Sequence, residues 1–207
     1  IIDSCLDQVS ADYGNTILKS SARNEYMIER TRRILRRTVW ALQEQLKHGA
    51  FRPEGFEVRF QGGRIDRVDI MEEPENNRVY VKVIDYKTGN TSFDLLALYH
   101  GLQLQLMVYL DGALQVEKRK YPDREIVPAG VFYYNVKDPM IQEKIHADME
   151  SINEQMLKKM KMNGLVQADD NMSTKIDSTM ASIPVSLNRD GSFSKRSSVA
   201  SRKQFDA

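Results

Sequence analysis

The sequence predicts an α/β domain built around a mixed β-sheet flanked by helices. Three observations carry that prediction. A helical apolar period runs over residues 21–48, a period of two takes over from Phe56 through three successive segments, and helix-like and strand-like segments then alternate to about residue 163. Composition agrees, since 41% apolar and 29% charged residues in a chain of 207 fit a globular protein with a substantial core.

In the first helix Met27, Ile28, Ile34, Leu35, Val39, Leu42 and Leu46 recur at helical spacing. Ser20 or Ser21 offers a cap, and Gly49 with Pro53 ends the helix. Residues 56–60, 64–71 and 78–86 read as strands, separated by Gly62 and Gly63 and by a polar turn over 72–77; Gly89 and Asn90 close the third. A helix over 93–116 is apolar on most of its circumference and is expected to be buried. A strand at 130–135, closed by Asp138 and Pro139, and a lysine-rich amphipathic helix over 140–163 follow. Beyond Gly164 the chain turns polar and less regular, with a short strand expected at 183–187, a turn at Asp190 and Gly191, and a terminal loop entering a helix. The expected organisation is a helical segment over 1–49, a core over 50–163 and an irregular extension over 164–207. Because it starts without methionine, the chain is expected to be a piece of a larger protein, cut at both ends.

The single cysteine, Cys5, excludes a disulfide framework and a self-contained cysteine zinc site, which makes a reducing, cytoplasmic setting the expectation. The longest mainly apolar stretch, 95–114, is interrupted by His100, Gln103, Gln105 and Asp111 and is no ordinary membrane span. Net charge is only +1, yet six arginines (Arg23, Arg30, Arg32, Arg33, Arg36 and Arg37) crowd one helical segment. Such a surface attracts phosphate, and Arg30, Arg33 and Arg37 are the candidates for contacting a nucleic-acid backbone. The plain alternative is a solvated helix face.

The chemistry-bearing stretches are Gly63-Arg64-Ile65-Asp66-Arg67-Val68-Asp69 and Val83-Ile84-Asp85-Tyr86-Lys87-Thr88-Gly89. Alternate residues of a strand share a face, so Val79, Val81, Val83, Asp85 and Lys87 line up, as do Asp66, Val68 and Ile70. If the two strands form a hairpin, Asp66 and Asp85 converge near one end of the sheet. Paired carboxylates suit a hard cation such as magnesium or manganese. Such a cation polarises a phosphate and acidifies bound water, and a neighbouring Lys87 would hold that water and stabilise developing charge. An Asp-x-Lys pair taken alone is as compatible with a surface ion pair.

A third motif follows in order: Gly101-Leu102-Gln103-Leu104-Gln105-Leu106-Met107-Val108-Tyr109-Leu110. Together the three closely resemble the C-terminal nuclease domain of the AddB (RexB-type) subunit of bacterial helicase–nuclease complexes. More broadly they resemble the RecB and Cas4 group of PD-(D/E)xK nucleases. The likeness is strong over about 50–140 and weaker through Phe132–Pro139 to the Ser192–Arg196 segment.

The resemblance implies a restriction-endonuclease-like core. It also implies Asp66 and Asp85 as metal ligands, the Tyr86 carbonyl as a further ligand, Lys87 as the catalytic lysine, and Gln105 and Tyr109 as the group's Gln-x-x-x-Tyr motif. Positions four apart on a helix share a face, so Gln105 and Tyr109 either reach the site or satisfy one another in the core. The implied cofactor is Mg2+, with Mn2+ substituting. The implied substrate is chiefly single-stranded DNA, hydrolysed alongside an AddA-like helicase–nuclease subunit during recombinational repair of double-strand breaks.

Two departures stand out. The group's upstream histidine ligand has no counterpart in the contexts of His48, His100 or His146, and His100 is expected to be structural. An iron–sulfur cluster is expected in the full-length family, but Cys5 alone cannot hold one. Glu57 adds either an acidic group near the site or edge-strand solvation. A non-catalytic, nuclease-like DNA-binding or scaffold module is the competing function. Small-molecule chemistry finds no phosphate loop, Gly-x-Gly-x-x-Gly or serine elbow to support it.

Overall fold

The computed structural model describes residues 1–13, 21–141 and 148–205. Among these, six strands form one mixed sheet in the order β1-β2-β3-β4-β5-β6. The strands are β1 (Arg52–Phe60), β2 (Gly63–Glu73), β3 (Arg78–Lys87), β4 (Glu125–Asn135), β5 (Asn163–Gln167) and β6 (Val199–Ala200). The helices are α1 (Ile2–Asp12), α2 (Ala22–Lys47), α3 (Leu95–Tyr99), α4 (Gln105–Lys120), α5 (Met149–Lys159), α6 (Met172–Ile176) and α7 (Arg202–Phe205). This is the restriction-endonuclease-like α/β arrangement that the sequence predicts.

β1, β2 and β3 form an antiparallel meander, β3 pairs with β4 in parallel, and β5 returns antiparallel to β4. A central strand covered on both faces needs apolar side chains in both directions, and β3 supplies them almost without a break from Val79 to Ile84. On one face Val68, Ile70, Val79, Val81, Val83 and Val131 meet Leu106, Leu110 and Ala113 of α4. On the other, Tyr80, Ile84, Phe132 and Tyr134 meet Ala41 of α2, Met156 of α5 and Met172 and Ile176 of α6. Full burial of each such side chain stabilises by about 1.5–3 kcal/mol. Pro128, in the middle of β4, cannot donate to a ladder. Between Val81↔Pro128 and Lys82↔Gly130 the register shifts, leaving Ala129 as the extra residue of a bulge.

Several expectations are corrected. The helix expected over 93–116 is two helices. Gly101 sits at φ +74, the Leu102 N–H donates to the Ala97 carbonyl and the Gly101 N–H to the Leu98 carbonyl, which ends α3 in a glycine-closed Schellman turn. Nor is its first half buried: Tyr99 is 84% and Leu102 78% exposed. The helix expected over 140–163 is α5, capped by the Asp148 carboxylate accepting from the Ser151 N–H at 2.7 Å and ending at Lys159; residues 142–147, His146 among them, lie outside the described residues, as does Ser20. Asn163 opens a strand instead. Gly164 lets β5 approach β4 closely, since a Cβ there would stand 1.9 Å from the Val131 carbonyl oxygen. No strand forms over 183–187, where only an isolated bridge joins Leu187 to Phe193. Strand β6 lies instead in the terminal segment expected to be loop, followed by the expected helix as α7. The sheet thus continues into the region read as irregular. No helix among the described residues is long and apolar enough to cross a membrane.

Candidate active site

The β2–β3 register brings the two carboxylates together. Arg67 pairs with Ile84, so Asp66 and Asp85 stand at the next position of the ladder, where one Asp66 oxygen accepts the Tyr86 N–H at 2.8 Å. Asp85 is buried. Burial pushes its carboxyl above the ordinary range and the Asp66 charge adds to this, while Lys87 opposes it. The Lys87 ammonium lies 2.7 Å from Asp85 Oδ2 and donates to Gln105 Oε1 at 2.8 Å. Burial acts to lower its pKa, but the Asp85 hydrogen bond and charge outweigh that and hold Lys87 protonated. Gln105 in turn donates through Nε2 to the Tyr109 hydroxyl at 2.9 Å.

The Gln105–Tyr109 pair therefore satisfies itself and reaches the site at once, and it does so at the surface rather than in the core. This works because α4 starts at Gln105, immediately after the turn that ends α3, and lays its first turn over the end of β3. Tyr133 of β4, paired in register with Asp85, places its ring 5.4 Å from the Lys87 ammonium. That aromatic neighbour escaped sequence reasoning, although a tyrosine one strand over from an acid–lysine pair is a readable signal once the parallel register is known.

The back of the site holds a second charged group. Arg67 donates to both oxygens of the fully buried Asp69, at 2.5 and 2.9 Å, and the Lys82 ammonium lies 3.0 Å from Asp69 Oδ2. Arg67 Nη1 also donates to the Tyr86 hydroxyl at 3.3 Å, tying this network to the residue between Asp85 and Lys87. Its signal in the sequence was Lys82, a cation flanked by Val81 and Val83.

The other candidates lie apart from this cluster. Arg33 donates to Asp138 at 2.8 Å, and Arg37 pairs with the same carboxylate. Arg32 contacts Asp3 and Asp7 on α1, and Arg36 contacts Asp3. Arg30 is exposed and makes no ion pair among the described residues. Glu57, at φ 54 on the edge strand, pairs with Arg64. His48 and His100 cap the C-terminal ends of α2 and α3, and the His100 ring meets Tyr99 edge-on at 5.3 Å. Cys5 is free and exposed.

Residues 2–197 match the family described as the PD-(D/E)XK nuclease superfamily. The chain belongs to this superfamily. It is also similar to the B-type subunit of the ATP-dependent helicase/deoxyribonuclease of Lachnoclostridium phytofermentans, with 43% identity over 98% of the chain and 19% of that protein. Proteins of the same name from Alkaliphilus metalliredigens and Clostridium acetobutylicum are each 36% identical, over 100% and 97% of the chain and 20% and 19% of their own length. The chain thus spans about a fifth of the curated relatives it matches, and the resemblance to an AddB-type nuclease domain read from the three motifs is borne out.

The residues present fit a divalent cation of the hard type. Asp66 and Asp85 converge, the Asp85 carboxylate holds the Lys87 ammonium through Oδ2, and no third acid, histidine or cysteine completes a larger cluster among the described residues. Two carboxylates with room for water and phosphate oxygens are what magnesium takes, whereas a closed all-protein cage would suit calcium or zinc.

Proposed function

We propose that this chain is a metal-dependent deoxyribonuclease domain that hydrolyses phosphodiester bonds of single-stranded DNA. It would do so within a helicase–nuclease complex, beside an AddA-like subunit, during recombinational repair of double-strand breaks. The observation that carries the reading is the placement of Lys87 between the Asp85 carboxylate and Gln105, on the sheet face and end where Asp66 converges.

Asp66, Asp85 and the Tyr86 carbonyl would hold Mg2+, or Mn2+ in its place. When bound, the metal supplies charge neutralisation at the scissile phosphate and acidifies water nearby. Lys87, kept charged by Asp85, orients the attacking water and offsets the charge that grows on the phosphate. Gln105 fixes the lysine, and Tyr109 fixes Gln105. Such preorganised donors matter because they need no reorganisation when charge develops. Arg30, Arg33 and Arg37 would add backbone contacts that carry no sequence preference. Arg33 and Arg37 share the half-buried Asp138, and a phosphate would compete with that carboxylate for both guanidinium groups.

The test is cleavage of end-labelled single-stranded DNA with magnesium or manganese, by wild type, Asp66→Ala and Lys87→Ala. Metal-dependent cutting that both substitutions abolish is the expected result. A folded wild type that binds DNA without cutting it, even within the longer protein, would support the non-catalytic module instead.

A further inference from the structure

The end of the sheet that carries Lys87 opens into a cleft of about 660 Å³ whose lining is strongly one-sided in charge. Five cations line it, Lys137, Lys158, Lys159, Lys161 and Arg196, and no acidic side chain does. We propose that this cleft binds the sugar–phosphate backbone of the nucleic-acid strand beside the scissile bond. The proposal takes its choice of ligand from the nuclease reading above.

Continuity with the candidate active site is set by the β3–β4 ladder. Asn135 stands opposite Lys87 in register, and the Val136 N–H donates to the Lys87 carbonyl at 2.7 Å. Asn135 grips the backbone of Thr91 twice, accepting its N–H at 3.1 Å and donating to its carbonyl at 2.9 Å. Asn163 of β5 donates to the same carbonyl at 3.1 Å. The loop that follows Lys87 is thereby fixed as one wall of the cleft, and Lys137 lies two residues beyond Asn135.

Three of the five charges there have no counter-ion among the described residues. Lys137, Lys161 and Arg196 make no ion pair among the described residues, while Lys158 has only an exposed pair with Glu154 at 2.6 Å and Lys159 donates to the Met140 carbonyl. Several cations elsewhere are matched, with Arg32, Arg33, Arg36, Arg37, Arg52, Arg78 and Lys120 all on carboxylates, whereas those unpaired among the described residues, such as Arg30 and Arg119, stand singly on exposed helix faces. Lys161 is partly buried, and burial lowers its pKa despite the attraction of Asp177. An unmatched, half-buried ammonium beside two further free cations is stabilised by an anion, and a nucleic-acid backbone brings several in sequence.

The experiment measures binding of a short labelled oligothymidine by fluorescence anisotropy over a range of salt, with chelator present so that cutting cannot intervene. Lys137→Gln combined with Arg196→Gln is expected to weaken binding about tenfold at low salt and to reduce the slope of log affinity against log salt by about 1.4, from ~0.7 per lost phosphate contact. The charge-preserving pair Lys137→Arg and Arg196→Lys should bind as wild type does, which separates charge from folding. Arg119→Gln, a charge removal on the exposed face of α4, should change little. Wild-type affinity and slope in the Lys137→Gln/Arg196→Gln protein would overturn the proposal. So would displacement of the strand by inorganic phosphate at an ionic strength where chloride is without effect, since the cleft would then be a small-anion pocket. Cutting activity enters none of these readouts: strand binding through the cleft without cutting would count against the nuclease reading alone.

Discussion

Asp69→Ala should be among the most damaging single substitutions outside the site. Asp69 is 0% exposed and stands between Arg67 and Lys82, themselves 4% and 5% exposed. Alanine at this position strands two cations in the interior. Lys82 has an escape, because burial already lowers its pKa and loss of the Asp69 charge would lower it further. Arg67 has none, since a guanidinium does not deprotonate in proteins. Breaking a buried pair from one side costs about 3–5 kcal/mol. At a urea dependence of about 2 kcal/mol per molar, the unfolding midpoint falls by roughly 2 M. Urea denaturation followed by circular dichroism reads this directly. Replacing the whole group, as Arg67→Met, Asp69→Leu and Lys82→Met together, should restore most of the loss, because no charge is then left buried. The sign of the pH effect is also fixed. Lys82 has a lower pKa folded than unfolded, so the unfolded chain binds more protons between the two values and stability climbs as pH rises through that window toward 10.5. In Asp69→Ala the window widens downward. A midpoint shift below about 0.5 M urea for Asp69→Ala, near 1 kcal/mol, would refute this reasoning.

Other expectations concern single contacts. Asp177 accepts from the N–H and hydroxyl of both Thr179 and Ser182, so Asp177→Ala should cost about 2–4 kcal/mol by leaving the buried Ser182 donors unpaired, measurable as a fall in thermal midpoint. Burial alone would raise its pKa, but those donors hold it below 3.8, so its contribution is present above that pH and is lost as pH falls through the lower, folded value. Gly164→Ala should destabilise by about 3 kcal/mol or more, because the added Cβ meets the Val131 carbonyl and must part β5 from β4; hydrogen exchange of the Val131 and Leu165 amides would report it. Gln105→Ala should slow cutting about tenfold while leaving strand binding unchanged, the value of one hydrogen bond of ~1.4 kcal/mol to the lysine; equal rates would remove Gln105 from the site.

The sequence was most informative where a period of two met charged residues. Alternation over β2 and β3 put Asp66, Asp85 and Lys87 on one face, and the ladder agrees. What it concealed arose from close approach and from turns. Gly101 interrupts an apolar run that reads as one helix, and only its positive φ reveals the stop. Asn163 and Gly164 resemble a helix end, whereas Gly164 serves the packing of β5 onto β4. Arg67 and Asp69 belong to the same motif as Asp66 but point to the opposite face, where their partner Lys82 comes from another strand; the lysine between two valines hints at a buried cation but not at which acid it meets. The cationic cleft is assembled from β4, α5 and the terminal segment, none of which carries a basic run as conspicuous as that of α2.

The central claim is that Asp66 and Asp85 hold a divalent metal on which Lys87-assisted cutting depends. Manganese binding, measured by calorimetry on wild type, Asp85→Asn and Lys87→Gln and paired with cleavage of single-stranded DNA by the same preparations, tests it most directly. Asp85→Asn is expected to lose both binding and cutting, whereas Lys87→Gln should still bind manganese but no longer cut. Undiminished manganese binding by Asp85→Asn, or undiminished cutting by Lys87→Gln, would contradict it.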